Sequence, residues 1–314
     1  MKKAIIPLAL FFQSAYLAST GLGQTSVYND NFANDSSLSS SYLNINNISG
    51  TSDEWSFTAN SELTLTTAAS SKIDEVAGSF SAVTLANAGD YISFQATFNS
   101  PGLGQGGTST AGALLFALDN SGGVGLTSMG AGPESPTGTT GATAGYIGDL
   151  GDVALNNSPK TGTKFYAKTG AGNNDLGYYS DATPDTQLST TLANASNANL
   201  ANNDSYTLTY TITALNAGAS QEQFNVQLFD NTLGTMADNF SYIGTNSAGA
   251  YLTPTTKYDT FDVGIYTGAE ASGYNVNLTD LSVVTDVTAT PEPSAMALAG
   301  GALGLLGLMR FRRR

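Results

Sequence analysis

Carboxylates, amides, hydroxyls, aromatic rings and a few lysines are the side chains available for chemistry, because the chain contains no cysteine and no histidine. Thiolate zinc sites, cysteine nucleophiles and histidine-based catalytic triads are therefore excluded. Three kinds of chemistry remain open: acid–base catalysis by paired carboxylates, oxygen ligation of a hard cation, and sugar binding by aromatic rings with nearby amides.

The adjacent acids Asp53-Glu54 and Asp74-Glu75 are the first candidates for acid–base catalysis. Consecutive residues of a strand point to opposite faces, so neither pair is placed to act on one substrate. Carboxylates that are distant in sequence can still meet in space, which leaves an enzyme open as the alternative. The sequence itself predicts no catalytic residue and favours a non-enzymatic protein.

Calcium is the metal that suits the available oxygen ligands, and no organic cofactor is predicted. The candidate ligands are carboxylates in turn-like surroundings: Asp30, Asp35, Asp119, Asp149 and Asp152. None of them follows the spacing of an EF-hand loop. Asp and Asn in such places also act as turn formers, and that interpretation stands beside the calcium prediction.

Exposed aromatic rings would give a platform for sugar rings. The candidates are Trp55, which is the only tryptophan, and Tyr166, Tyr178 and Tyr179 in or near predicted loops. Trp55 lies two residues before Phe57, so a core position on a strand is the alternative for its ring. A threonine ladder at 207, 209, 211 and 213 occupies one strand without a repeat, which favours a plain solvent face.

The charges are sorted along the chain. Six of the 11 basic residues lie at the two extremes, and the region from Gln24 to Thr290 holds five lysines, no arginine and 24 acidic residues. Its net charge is −19. Such a surface repels nucleic acid and anionic lipid, and it attracts divalent cations or basic partners.

The N-terminus has the order of a secretory signal peptide. Lys2 and Lys3 precede an apolar stretch from Ala4 to Phe12, and small residues follow up to Gly23. The apolar stretch is too short to span a bilayer. We therefore predict a signal peptide over residues 1–23, which a signal peptidase would remove during export.

The C-terminus carries a second candidate targeting segment, over residues 289–314. Pro291, Glu292 and Pro293 precede 16 uncharged residues rich in Gly, Ala and Leu. A helix of that length measures about 24 Å, so it would cross a hydrocarbon core only marginally. Four arginines close the chain and would stay on the cytoplasmic side of a membrane: Arg310, Arg312, Arg313 and Arg314.

This order of Pro-Glu-Pro, short apolar helix and terminal arginines resembles the PEP-CTERM sorting signal of Gram-negative bacteria. The resemblance implies an exosortase partner that processes the chain near Pro291, Glu292 and Pro293. It also implies transient anchoring in the inner membrane, followed by release to the cell envelope, outer surface or extracellular matrix. A plain C-terminal membrane anchor is the alternative.

The body, residues 24–288, has an apolar period of two, which is typical of antiparallel sheets with one buried face. Tyr206 to Ile212 and Ile92 to Phe98 are two such runs among ten or eleven. The alternation changes phase near Asp280, which predicts a β-bulge in the last strand. Residues 101–151 contain 15 glycines, and we predict long surface loops there with one strand at Ala113 to Leu118. A short helix is the expectation within residues 185–203.

These features predict one all-β domain, an antiparallel β-sandwich of jelly-roll type with long Gly-rich loops. The opening Asn29-Asp30-Asn31-Phe32, the aromatic Trp55 and Phe57, and the closing residues 278–283 resemble concanavalin A-like or laminin-G-like jelly rolls. The resemblance implies that the first and last strands lie together, and it implies glycan binding, glycan cleavage or adhesion. We expect an exported protein that contacts extracellular polysaccharide or matrix proteins. A secreted glycoside hydrolase or lyase and a self-associating structural surface protein are the alternatives.

Overall fold

The computed structural model describes residues 24–32, 42–46, 55–57, 62–66, 72–102, 113–121, 128–129, 136–137, 144–150, 164–169, 186–187, 200–201, 203–245, 256–267 and 275–287. The predicted signal peptide and the C-terminal segment 289–314 lie outside these residues. The described residues contain no helix that is long and apolar enough to cross a membrane.

The described residues form seventeen strands and one 3-10 turn at Ala217–Ala219. In chain order the strands are β1 Thr25–Asp30, β2 Tyr42–Asn46, β3 Trp55–Phe57, β4 Leu63–Thr66, β5 Lys72–Thr84, β6 Tyr91–Gly102, β7 Ala113–Asn120, β8 Ser128–Met129, β9 Pro136–Thr137, β10 Ala144–Leu150, β11 Lys164–Thr169, β12 Thr186–Gln187, β13 Ser205–Ala214, β14 Gln221–Asp230, β15 Thr235–Thr245, β16 Lys257–Thr267 and β17 Asn275–Asp286.

Two antiparallel sheets hold almost all of these strands. The first sheet has eight strands in the order β15-β14-β13-β6-β17-β4-β3, and β1 also pairs with β17. The second sheet has seven strands in the order β12-β11-β10-β7-β16-β5-β2. The strands β8 and β9 form a separate small pair. The predicted antiparallel β-sandwich is confirmed, and the first and last strands lie together as β1 and β17.

The core lies between the sheets and follows from the alternation along each strand. On β13 the apolar residues Tyr206, Leu208, Tyr210 and Ile212 are buried while the threonines between them are half-buried on the outer face. The inward residues of β6, β14, β16 and β17 are buried in the same way. Each buried apolar side chain contributes about 1.5–3 kcal/mol, so burial of this shared inner layer fixes which face of each strand points inward.

Aromatic rings and one buried polar contact connect the two sheets across this core. Phe165 of the second sheet packs against Tyr210 and Phe224 of the first, with ring centroids 6.3 and 5.8 Å apart. The Tyr258 hydroxyl of β16 donates a hydrogen bond of 3.1 Å to Oε1 of Glu222 on β14. Glu222 is fully buried, so this bond supports a carboxylate that would otherwise be costly to enclose.

The last strand contains the predicted bulge. The pairing of β17 with β6 shifts register between Leu278 and Asp280. Leu278 and Leu281 are both buried although three positions separate them, so the extra residue restores the inward phase after the shift.

Two expectations about secondary structure are corrected, and a third, the short helix within residues 185–203, stays a prediction. The sandwich has more strands than the ten or eleven expected, because several are only two or three residues long. The stretch Ala144–Leu150 forms β10 between β7 and β11 and is not a loop. Its Gly148 pairs with Phe116 and Phe165, and two bulky neighbours can favour a small residue in a strand. Thr186 and Gln187 form β12, and most of the stretch expected to contain a helix lies outside the described residues.

Gly78 provides a test of the packing between the sheets. A Cβ built on Gly78 would collide with the ring of Phe261, which is almost fully buried. We expect Gly78→Ala to lower the free energy of unfolding by about 1–3 kcal/mol, because overpacking displaces the ring. Chemical denaturation measures the change. Ser81→Ala, at an exposed position of the same strand, is the control, and equal stability of both variants would contradict the packing.

Candidate functional site

The outward residues of three adjacent strands in the first sheet form an uncharged surface, which we call the neutral face. Its members are Tyr91, Ser93, Gln95, Thr97 and Asn99 on β6, Ser205, Thr207, Thr209, Thr211 and Thr213 on β13, and Gln221, Gln223, Asn225, Gln227 and Phe229 on β14. Hydroxyl and amide groups account for all but one of these side chains. A surface without charge is unusual in a body that carries −19, so the neutral face is the first candidate for an interaction site.

Hydrogen bonds between strands order the hydroxyl groups of the neutral face. The Oγ of Ser93 lies 2.8 Å from the Oγ1 of Thr211, and the hydroxyls of Thr97 and Thr207 are 3.3 Å apart. The amide of Gln95 donates to Thr209 at 3.5 Å. Because a hydroxyl has one donor and two acceptor positions, these contacts leave acceptor capacity for a ligand.

The amides of β14 extend this array toward β15. Gln223 donates a hydrogen bond of 2.9 Å from Nε2 to Ser241 Oγ on β15. The Oδ1 atom of Asn225 is buried and has no hydrogen-bond partner among the described residues. Asn225 pairs with Thr211 on one side and Ser241 on the other, so this acceptor lies at the centre of the array.

Two aromatic rings stand at opposite ends of the neutral face. Tyr91 pairs with Thr213 and Phe229 pairs with Thr207, and both rings are half-buried. Six residues of β13 separate the two positions, which corresponds to about 20 Å. Burial, together with the charge of Asp286, raises the pKa of the Tyr91 hydroxyl, so this ring stays neutral at physiological pH.

Carboxylates mark the margin of the neutral face on β17. Asp280 pairs with Thr97 and Asp286 pairs with Tyr91. Burial raises the pKa of the Asp280 carboxyl above its ordinary value, and the negative charge of Asp30 on β1 raises it further. The margin at β17 is therefore acidic and somewhat strained by like charges, whereas the centre of the face is uncharged.

The predicted aromatic platform is not assembled at one place among the described residues. Trp55 lies on β3, at one edge of the first sheet. Tyr166 lies on β11 of the second sheet and is only 5 % exposed, so its ring offers no open face to a sugar. Tyr178 and Tyr179 lie outside the described residues. Tyr91 and Phe229 were missed, although their places in alternating strands indicate an outward position.

The predicted calcium ligands are also separated. Asp30 ends β1 in the first sheet, and its Oδ1 accepts a hydrogen bond of 2.8 Å from the Phe32 N–H, as a turn-forming Asp does. Asp119 is buried in β7, and Asp149 lies on β10 opposite Leu115. Asp35 and Asp152 lie outside the described residues. In the described part of the chain, no three acidic side chains gather to hold a metal, and calcium remains a prediction.

Two carboxylates that are far apart in the sequence are neighbours in the second sheet. Asp262 pairs with Ala117, and Asp119 pairs with Thr260, so the two acids are diagonal neighbours on adjacent strands. Both are 1 % exposed. Diagonal neighbours lie roughly 7–8 Å apart, and carboxylate pairs of glycosidases lie about 5–9.5 Å apart. Asp74 and Glu75 are consecutive residues of β5.

Comparison with known proteins finds similarity in solved structures. No protein-family model matches the chain, and no curated protein matches it in sequence. Peanut lectin with a nine-residue peptide is 12 % identical, with a TM-score of 0.43 over 85 % of this chain and 99 % of that one. Arcelin-5, a lectin-like defence protein from Phaseolus vulgaris, is 12 % identical over 85 % and 100 %, with a TM-score of 0.42.

A bacteriophage protein gives similar values. The CBM2 module of the evolved Dit of Lactobacillus casei BL23 phage J-1 is 12 % identical, with a TM-score of 0.42 over 85 % of this chain and 98 % of that one. The assignment of an antiparallel sandwich to this chain rests on its own strand pairings.

The raised pKa of Asp280 predicts how the stability of the fold changes with pH. A carboxyl whose pKa is raised by folding stabilises the fold below the pKa of the unfolded chain, and that contribution is lost as the pH rises through the folded value. Ionised Asp280 therefore destabilises the fold at neutral pH. We expect Asp280→Asn to raise Tm by about 1–3 °C at pH 7 and to change it less near pH 3.

Asp30, whose charge contributes to the raised pKa of Asp280, supplies the control for this experiment. In an Asp30→Asn background the gain from Asp280→Asn should shrink, because one source of the raised pKa has been removed. Thermal melts of the four proteins at both pH values give the comparison. A lower Tm of Asp280→Asn at pH 7 would contradict the proposed repulsion.

Proposed function

We propose that this protein is an exported, non-enzymatic component of the cell envelope or extracellular matrix that binds neutral polysaccharide through the neutral face. The observation that carries the proposal is the lack of charge on the outward residues of β6, β13 and β14 in a strongly acidic body. An acidic body repels anionic polymers, so an uncharged polymer is the partner that can approach this surface closely.

The chemistry of the neutral face suits the hydroxyl groups of a sugar. Thr209 and Thr211 present hydroxyls that can both donate and accept, and the amides of Gln95 and Gln223 lie on the strands beside them. A partner with many hydroxyl groups can complete these hydrogen bonds without burying an unpaired charge. Tyr91 and Phe229 give apolar surfaces at the two ends, against which the apolar side of a sugar ring can pack.

The route to the cell surface is part of the same proposal. Residues 1–23 direct export and are removed by signal peptidase, and the segment 289–314 holds the chain in the inner membrane until an exosortase processes it. The arguments for this route are the residue order at both ends and the acidic body between them. A self-associating structural surface protein is compatible with the same route.

A glycan-degrading enzyme is the second candidate function, and the diagonal pair of Asp119 and Asp262 favours it. The two carboxylates lie in separate strands of the second sheet at a spacing suited to glycoside hydrolysis. This candidate ranks second because both side chains are almost fully buried, which does not offer an open cleft to a polymer.

Binding to neutral polysaccharide is tested on the neutral face itself. We expect the purified full chain to be retained on at least one of a panel of insoluble neutral glucans and galactans. Thr209→Glu should weaken retention at least about tenfold, because it places an unpaired carboxylate among the hydroxyls, at a cost of about 1.4 kcal/mol or more. Thr84→Glu, on an exposed position of β5 in the second sheet, should bind like the unaltered protein.

Three outcomes of the binding experiment would count against the proposal. One is the absence of retention on the whole panel, and another is equal retention of Thr209→Glu and Thr84→Glu when both have native melting curves. The third is release of soluble sugar that Asp262→Asn abolishes. That result would establish the enzymatic candidate in place of simple binding.

Sorting is tested at the C-terminus. We expect the mature protein from the producing cells to end near Pro291, and a Glu292→Ala variant to keep its tail, since the change alters the recognised tripeptide. Mass spectrometry of the C-terminal peptide measures both. If both chains run intact to Arg314, the segment is a simple membrane anchor and exosortase processing is wrong.

A further inference from the structure

The strand β15 is a long edge of the first sheet. It spans 11 residues and, among the described residues, pairs only with β14. The other strands at the ends of the two sheets are much shorter: β3 has three residues, β12 has two and β2 has five. Short edges offer little backbone for pairing with another chain, whereas a long one is a ready template.

From residue 239 to residue 244 the side chains of β15 do not block such pairing. Proteins protect edges with lysine, proline, β-bulges or inward-pointing charges. The first part of β15 has two of these features, a register shift against β14 near Met236 and the buried carboxylate of Asp238, whereas residues 239–244 contain no lysine, no proline and no charge. Two large apolar side chains on the same strand are open to solvent, since Met236 is 47 % exposed and Ile243 is 50 % exposed. The edge is therefore neutral and partly apolar.

After residue 238, every second backbone N–H group of β15 points to the open side of the edge. The Asn239 N–H donates to Oδ1 of Asp238 at 2.8 Å, which indicates that this N–H points away from β14. Backbone groups of an edge strand alternate between the neighbouring strand and the open side. The N–H groups of Ser241 and Ile243 share the phase of Asn239, so they also point to the open side.

We propose that a second copy of this chain pairs with β15, antiparallel, about a two-fold axis perpendicular to the first sheet. The charge distribution favours this occupant, because two bodies that each carry −19 can meet closely only where charge is absent. The axis makes the interface identical on both copies.

The two-fold arrangement has a structural consequence for the outer surface. Rotation about an axis perpendicular to the sheet keeps the outer face of both copies on the same side. The neutral faces of two copies would then form one continuous surface across eight strands, four from each copy, running from β6 to β15 in each. If the neutral face binds polymer, a dimer would hold one polysaccharide chain with two sites and gain avidity. The dimer itself does not depend on that function.

Sedimentation of the full chain, in mild detergent to cover the C-terminal segment, tests the pairing. We expect a monomer–dimer equilibrium over about a hundredfold range of concentration. Ser241→Pro should weaken dimerisation at least about tenfold, because it removes an outward N–H while sparing the bonds to β14. Ser241→Ala keeps the N–H and should dimerise like the unaltered chain.

A second variant keeps the test valid if the proline variant does not fold. Ile243→Lys adds a charge at an exposed edge position and should also favour the monomer. An unaltered chain that is strictly monomeric would overturn the proposal. So would dimers of both Ser241→Pro and Ile243→Lys with unchanged strength.

The polysaccharide experiment separates this inference from the proposed function. Thr209→Glu should dimerise normally and fail to bind polymer, because Thr209 lies on β13 away from the edge. Ile243→Lys should remain able to bind polymer, with lower avidity. Dimers that bind no polysaccharide would remove the proposed function alone, and monomers that bind it would remove the edge pairing alone.

Discussion

The packing of the two sheets depends on Phe261. This ring lies on β16 of the second sheet and has its centroid 4.9 Å from Tyr28 on β1 and 5.1 Å from Phe94 on β6, both in the first sheet. It also stacks near Phe80 of the neighbouring β5, at 6.5 Å. Gly78 leaves the space that the ring occupies. One aromatic side chain of the second sheet thus contacts both the first strand and a central strand of the first sheet.

This inner layer determines what the outer surface can be. Side chains alternate along a strand, so a shift of one residue would bring the threonines of β13 into the core and expose its tyrosines. Because burial of Tyr210 and its neighbours excludes that shift, the outward set is fixed. Its composition is not otherwise constrained by the core, since charged side chains are equally compatible with an outer face. The neutrality of the outer surface therefore calls for an explanation beyond folding.

Much of the fold could be predicted from local pattern. The alternation at Ile92 to Phe98 and at Tyr206 to Ile212 identifies inward residues because burial imposes a period of two on an antiparallel strand. The phase change near Asp280 identifies the bulge for the same reason. These features depend on neighbouring residues along the chain, so a single sequence is enough to show them.

The features that sequence reasoning missed depend on contacts between distant strands. β10 has glycines and no clear alternation, and its place is set by pairing with β7 and β11. Ser93 and Thr211 are 118 residues apart, so the width of the neutral face does not appear in any short window. The threonines of β13, taken alone, predict a plain solvent face, because one strand does not reveal its neighbours. Tyr166 has an outward phase and is buried nevertheless, which local pattern does not predict.

The distribution of charge links the candidate site to the setting in which the protein is proposed to act. The carboxylates Asp280 and Asp286 lie beside the neutral face, and none of its outward residues is charged. Long-range repulsion keeps acidic bodies and anionic polymers apart, whereas short-range hydrogen bonds act only after close approach. Together these effects favour uncharged partners at the neutral face and at β15.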